Sequence, residues 1–206
     1  MIDKERMWDK FLQIKTTGRD ETGADAYHHP YEPTPYSVLE RLADSGLIGK
    51  DDRVLDYGCG KGRVDFFLSY RTNAQTIGIE YDAHIYRQAV ENQNSAGAKA
   101  KAEFVLTSAE TYEVPPDVNR CYFFNPFSVE ILHKVMARIV ESYYAKPREI
   151  FLFFYYPTDE YISYLMTVDS LDFYDEIECD DLFAGDMRER IMIFTLPDCE
   201  IGDEFP

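Results

Sequence analysis

The chain has 206 residues, 45% hydrophobic and 29% charged, and its 38 acidic against 21 basic side chains give a formal net charge of −17. That length suits one domain with a buried core, and no apolar run reaches the roughly 20 residues that span a bilayer. The charge disfavours nucleic acid, whose phosphates are met by a basic face, and Cys59, Cys121, Cys179 and Cys199 lack the C-x-x-C spacing of a zinc site, so no metal is expected.

The start, Met1-Ile2-Asp3-Lys4-Glu5-Arg6, is charged and is no signal peptide, which points to a cytoplasmic chain with reduced thiols. Met7, Trp8, Phe11, Leu12 and Ile14 recur at near-helical spacing and predict an amphipathic helix over residues 4–14. Residues 16–25 are polar and glycine-bearing and read as a loop or lid. Tyr27-His28-His29-Pro30-Tyr31-Glu32-Pro33-Thr34-Pro35-Tyr36 follows. One of the two histidines could act as a base on a hydroxyl, the competing reading being a surface or structural role. Thr34-Pro35 reads as an N-cap followed by a first-turn proline, with Val38, Leu39, Leu42 and Leu47 as the apolar face of the helix it starts.

Arg53-Val54-Leu55-Asp56-Tyr57 is a short buried-strand pattern, and Gly58-Cys59-Gly60-Lys61-Gly62 then turns sharply into Arg63-Val64-Asp65-Phe66-Phe67-Leu68, which is spaced as a helix. Strand, glycine loop and helix bring backbone close to a nucleotide-like ligand. The glycines fall G-x-G-x-G, not G-x-G-x-x-G, which argues against a nicotinamide dinucleotide, and Lys61 is followed by Gly62 where a phosphate-gripping loop has Ser or Thr. Arg63 reads as a partner of Asp56 or Asp65. A second buried strand, Thr76-Ile77-Gly78-Ile79-Glu80, ends in an acid about twenty residues past the loop, where a ribose-binding carboxylate belongs. Tyr81 could lie against the adenine, and the next helix puts Ile85, Ala89 and Asn92 on one face.

Ala102-Glu103-Phe104-Val105-Leu106 reads as a third strand, and Ser108 and Glu110 after it read either as ligand contacts or as an ordinary helix cap. Cys121-Tyr122-Phe123-Phe124 is a fourth, closed by Asn125-Pro126-Phe127-Ser128. There the Asn125 side-chain carbonyl could accept a substrate N–H or O–H, Pro126 could aim its main-chain carbonyl at the same atom, and Phe127 could stack on a planar substrate. Residues 149–157 are an aromatic-rich buried strand, 158–167 a helix, and 171–179 and 190–196 two closing strands. The acids from Asp172 to Asp186 read as a solvated surface or as a face for a basic partner.

The acid-x-G-x-G-x-G pattern, the acid Glu80 and the Asn-Pro-Phe turn together resemble the class I S-adenosylmethionine (SAM) methyltransferases. The turn is similar to the Asn-Pro-Pro-aromatic tetrapeptide of members that act on exocyclic or amide nitrogens, without its second proline. The resemblance implies an α/β Rossmann-like fold: a seven-stranded, mostly parallel doubly wound sheet with a C-terminal antiparallel hairpin. It implies SAM as cofactor, S-adenosylhomocysteine as product, and methyl transfer to nitrogen or oxygen of a small molecule or protein. It places Asp56, Tyr57, Gly58, Cys59, Gly60, Gly62, Glu80, Tyr81, Ser108, Ala109, Glu110 and Asn125 at the cofactor. Asn125, Pro126 and Phe127 stand at the acceptor, with Tyr31, Thr34 and Tyr36 covering the pocket. Residues 1–34 are then an N-terminal helix and cover and 35–206 the SAM-binding body of a single globular domain. The alternatives are a SAM-binding regulatory module without transfer activity, an N-methyltransferase of nucleic acid, and a nicotinamide oxidoreductase.

Overall fold

The central strands are buried on both faces, with alternate side chains entering opposite cores. The computed structural model describes residues 3–21, 27–97 and 101–197; Cys199 and residues 22–25 of the polar loop lie outside them. In chain order the elements are α1 (Lys4–Leu12), α2 (Tyr36–Asp44), β1 (Arg53–Tyr57), α3 (Arg63–Thr72), β2 (Gln75–Glu80), α4 (Ala83–Ala96) and β3 (Ala102–Leu106), then β4 (Arg120–Phe123), α5 (Val129–Ala145), β5 (Ile150–Tyr155), α6 (Asp159–Leu165), β6 (Asp172–Glu178) and β7 (Arg190–Leu196). The seven strands form one sheet in the order β3-β2-β1-β4-β5-β7-β6. All pairs are parallel up to β5, and β7 runs antiparallel to both β5 and β6. This is the expected doubly wound sheet with its closing hairpin.

Strand order reverses between β1 and β4, so the loops leaving these two strands diverge and open a crevice at their C-terminal ends. On β5, Ile150, Leu152 and Phe154 join the core on the α5 side, while Phe151, Phe153 and Tyr155 join the core shared with α2 and α3. Helix α5 fills the first side with Ile131, Leu132, Val135, Met136 and Ile139. That spacing is helical and was legible, yet the sequence reading assigned no element to it.

Two helix ends differ from expectation. Gln13 takes a left-handed backbone (φ 60°) and its N–H closes α1 on the Asp9 and Lys10 carbonyls, so the helix stops short of Ile14. Thr34 does not cap α2; its hydroxyl is 3.0 Å from the Tyr122 hydroxyl. The free N–H of Tyr36 instead donates to the Glu5 carboxylate from α1, at 3.1 Å. Among the described residues no helix is long and apolar enough to cross a membrane.

Candidate functional site

The glycine loop is pinned to the neighbouring strand before any ligand is considered. Gly58 and Cys59 both donate their N–H to the Ile79 carbonyl at 3.0 Å, and Gly60 donates to Glu80 Oε2 at 3.0 Å. The second Glu80 oxygen accepts from the N–H groups of Tyr81 and Asp82, each at 2.9 Å. Glu80 is thus a fixed carboxylate at the strand's edge, with burial raising its pKa and these three N–H groups opposing the rise. Gly58 (φ +73°) and Gly60 (φ +57°) need left-handed backbone, and a Cβ on them would strike Pro126 and the Tyr31 ring respectively. Gly60→Ala should therefore displace Tyr31 and weaken S-adenosylhomocysteine binding about tenfold or more, readable by calorimetry; unchanged affinity would separate this contact from the ligand pocket.

Under the loop, Asp56 and Asp65 face each other in full burial. Burial pushes Asp56 up to about 7, with the hydrogen bond to Asp65 opposing and the Glu80 charge adding. Asp65 is also raised, by burial first and then by the Asp56 charge. Neither meets Arg63, against expectation. The folded state keeps a proton that the unfolded chain releases near pH 4. This contribution is complete below that pH and is lost as pH rises through about 7. Asp65→Asn should flatten the fall in melting temperature between pH 5 and 8 and raise it at pH 8 by roughly 2–8 °C. An unchanged pH profile would show that the pair does not share a proton.

Residues 27–34 lie over the crevice and zip onto the Asn-Pro-Phe turn. Ser128 N–H donates to the Tyr27 carbonyl at 2.8 Å, His29 N–H donates to the Pro126 carbonyl at 3.3 Å, and His29 Nδ1 lies 2.7 Å from the Asn125 carbonyl. His28 stacks on Tyr81 at 3.8 Å between centroids. The Tyr31 hydroxyl donates to the Thr16 carbonyl at 2.6 Å, while Lys61 Nζ sits 4.8 Å from the Tyr31 ring centre. The His29 contacts give that residue a structural partner on the turn.

Asn125 holds a left-handed backbone (φ 39°). Its side-chain amide N–H donates to the Tyr156 carbonyl, and because a carbonyl can only accept, Oδ1 must face the other way. That oxygen is buried and has no hydrogen-bond partner among the described residues. Leaving it so costs free energy unless a ligand supplies a donor.

These elements enclose a cleft of about 910 Å³, solvent at its mouth included. Of the expected residues, Tyr31, Thr34, Asp56, Gly58, Cys59, Gly60, Glu80, Tyr81, Ser108, Ala109, Asn125, Pro126 and Phe127 line it. Four do not. Tyr57 follows Asp56 on the strand and so points to the opposite face, where it stacks on Phe123 at 4.7 Å. Gly62 packs against Phe66 and Phe104 instead. The Tyr36 hydroxyl is spent on Asp9 at 2.7 Å, and Glu110 pairs with Lys134 at 3.5 Å. Two residues that do line the cleft also have partners of their own. The Phe127 ring is 3% exposed and edge-on to Phe123 in the core, and the Pro126 carbonyl accepts one hydrogen bond, from His29, which leaves its second lone pair open. Ile85, Thr107, Tyr122 and Phe124 were not foreseen as lining residues. Ile85 was legible from the buried face of α4, whereas Phe124 needed the bend after β4.

A parallel-centred seven-stranded sheet with a glycine loop after β1 and an acid ending β2 is the class I methyltransferase architecture. A family model described as a methyltransferase domain matches residues 54–144, and the fold is that of the class I, Rossmann-like methyltransferases. A relative from Saccharolobus islandicus (strain REY15A), named as a protein-lysine N-methyltransferase, is 33% identical over 79 residues. The match covers 38% of this chain and 49% of that protein, so the chain spans about half the length of the relative. An RNA methyltransferase from Salinibacter ruber, solved in complex with S-adenosylhomocysteine, superposes with a TM-score of 0.61 at 17% identity, over 85% of this chain and 99% of that one. A TehB-like SAM-dependent methyltransferase from Corynebacterium glutamicum gives 0.56 at 15% identity over 93% and 95%. At these identities the structural likeness is one of fold.

Proposed function

We propose that the chain binds SAM in the cleft between β1, β2 and β4 and transfers its methyl group to a nitrogen or oxygen of a small molecule or protein. Residues 35–206 form the cofactor-binding body and residues 1–34 its helix and cover, acting in the cytoplasm. The observation that carries this reading is the pairing of Glu80, fixed by three backbone N–H groups, with Asn125, which lines the same cleft and whose buried Oδ1 has no partner among the described residues.

The residues fit the cofactor. A carboxylate has about four acceptor sites, and three on Glu80 are filled by backbone N–H groups, which leaves one for a ribose hydroxyl. Tyr81 and Ile85 offer apolar surface for the adenine, with Ser108 and Ala109 across the cleft. Asp56, once ionised, gives a negative charge for the amino-acid end. When bound, SAM supplies an electrophilic methyl group on a cationic sulfur. Asn125 then holds the acceptor by its N–H or O–H, and the zipped cover of residues 27–34 excludes water. Much of the rate comes from this positioning of two reactants.

Titration calorimetry with SAM, S-adenosylhomocysteine and NAD tests the reading. Both adenosyl ligands should bind at micromolar concentration, NAD should not, and Glu80→Ala should weaken the adenosyl ligands at least about tenfold, the cost of one charge-assisted hydrogen bond. Binding of NAD alone, or full affinity in Glu80→Ala, would contradict it.

A further inference from the structure

Asn125 borders two cavities. Besides the cofactor cleft it lines a second one, walled by the aromatic rings of Phe124, Tyr155, Tyr156 and Phe183 and edged by Glu32 and Glu189. Tyr155 donates its hydroxyl to Glu189. The carboxyl of Glu189 is raised by burial, and the neighbouring charges of Asp186 and Glu32 add to the rise, against the Tyr155 hydrogen bond and Arg188. The basic residue Arg19 also borders this cavity, and it is paired with Glu21 at 3.5 Å. Arg188, held by Asp186 at 2.9 Å, lies 5.0 Å from the Tyr156 ring centre, so one face of this aromatic wall already carries a cation.

We propose that this second cavity is the acceptor channel and that it takes a protonated alkylamine, either a lysine side chain of a basic polypeptide or a free diamine. The proposal rests on the SAM reading above and names its acceptor. Aromatic walls beside carboxylates attract a cation and repel a phosphate or carboxylate. A long alkyl stem suits the apolar walls while its charged head meets Glu32 or Glu189. Asn125 borders this cavity as well as the cofactor cleft, and its buried Oδ1 has a hydrogen bond to accept, which an amine can donate and a methyl group cannot. The chain's net charge of −17 favours the approach of a basic partner. In the transfer, the ammonium first gives up a proton to a rim carboxylate and from there to water. The amine lone pair then bonds the methyl carbon, and the broken C–S pair stays on sulfur. A methylammonium, S-adenosylhomocysteine and one proton leave.

Calorimetry on protein saturated with S-adenosylhomocysteine, using n-butylammonium against its neutral isostere n-butanol, reads recognition without turnover. The ammonium should bind at least tenfold more tightly, and Glu189→Gln should remove most of that difference while S-adenosylhomocysteine affinity stays within twofold. Transfer of labelled methyl to poly-L-lysine or to 1,4-diaminobutane then separates the two sources. Equal binding of butanol, or labelling of a single-stranded RNA or a catechol in place of either amine, would overturn the amine assignment while leaving the cofactor site intact. Failure of the wild-type protein to bind S-adenosylhomocysteine would instead overturn the cofactor reading, and the amine proposal with it.

Discussion

Arg63→Met is expected to be the most destabilising single substitution in the chain. Arg63 opens α3, immediately after the glycine loop, and is 2% exposed. Its Nε donates to Thr16 Oγ1 at 2.8 Å and its Nη1 to the Thr34 carbonyl at 3.1 Å. It also pairs with Glu5 and lies 3.8 Å from Asp9, with Tyr36 beneath the guanidinium at 4.3 Å. Asp9 in turn accepts from the Thr16, Thr17 and Tyr36 side chains. Burial alone would raise its pKa, but these hydrogen bonds and the Arg63 charge hold it below the usual carboxylate value. Methionine keeps the volume and leaves two carboxylates with no counter-charge. Breaking a buried pair in this way costs about 3–5 kcal/mol, a fall in melting temperature of roughly 6–20 °C for a chain of this size. Adding Glu5→Gln and Asp9→Asn should recover part of the loss. A melting temperature within 2 °C of wild type would mean that Arg63 does not hold the N-terminal helix to the body.

The second large effect belongs to Asn125→Ala. Removing the amide takes away the unpaired acceptor in the cleft and the tie to the Tyr156 carbonyl. Turnover on the amine acceptor should fall by about 10²–10³-fold, as for other lost positioning contacts in a desolvated site. S-adenosylhomocysteine affinity should stay within threefold, because Glu80 and the glycine loop are untouched. Alanine at φ 39° carries backbone strain of order 1 kcal/mol, so the melting curve is read alongside. Turnover within fivefold of wild type would remove Asn125 from the reaction.

Much of this architecture was legible because its signals are local. Each strand of the parallel set is a short apolar run, and the loop and Glu80 follow from spacing alone. The errors have two physical sources. Some were readable and missed: Tyr57 must point away from Asp56 on a strand, and the apolar spacing of residues 129–145 is helical. Others depend on partners distant in sequence. Arg63 was assigned to nearby Asp56 or Asp65, yet its carboxylates are Glu5 and Asp9 from α1. The His29 N–H meets the Pro126 carbonyl because the chain around His29 folds back on the turn. The second cavity brings Glu32 together with Tyr155, Tyr156 and Glu189, which no local pattern connects.

In the proposed reaction the methyl-bearing end of SAM lies beside Asn125. A crystal structure with sinefungin, which carries a primary amine in place of the methyl-bearing sulfonium, tests it most directly. The account predicts the ribose on Glu80 and the analogue's amine within hydrogen-bonding distance of Asn125 Oδ1. An amine directed away from Asn125, or an analogue bound outside the cleft between β1, β2 and β4, would contradict it.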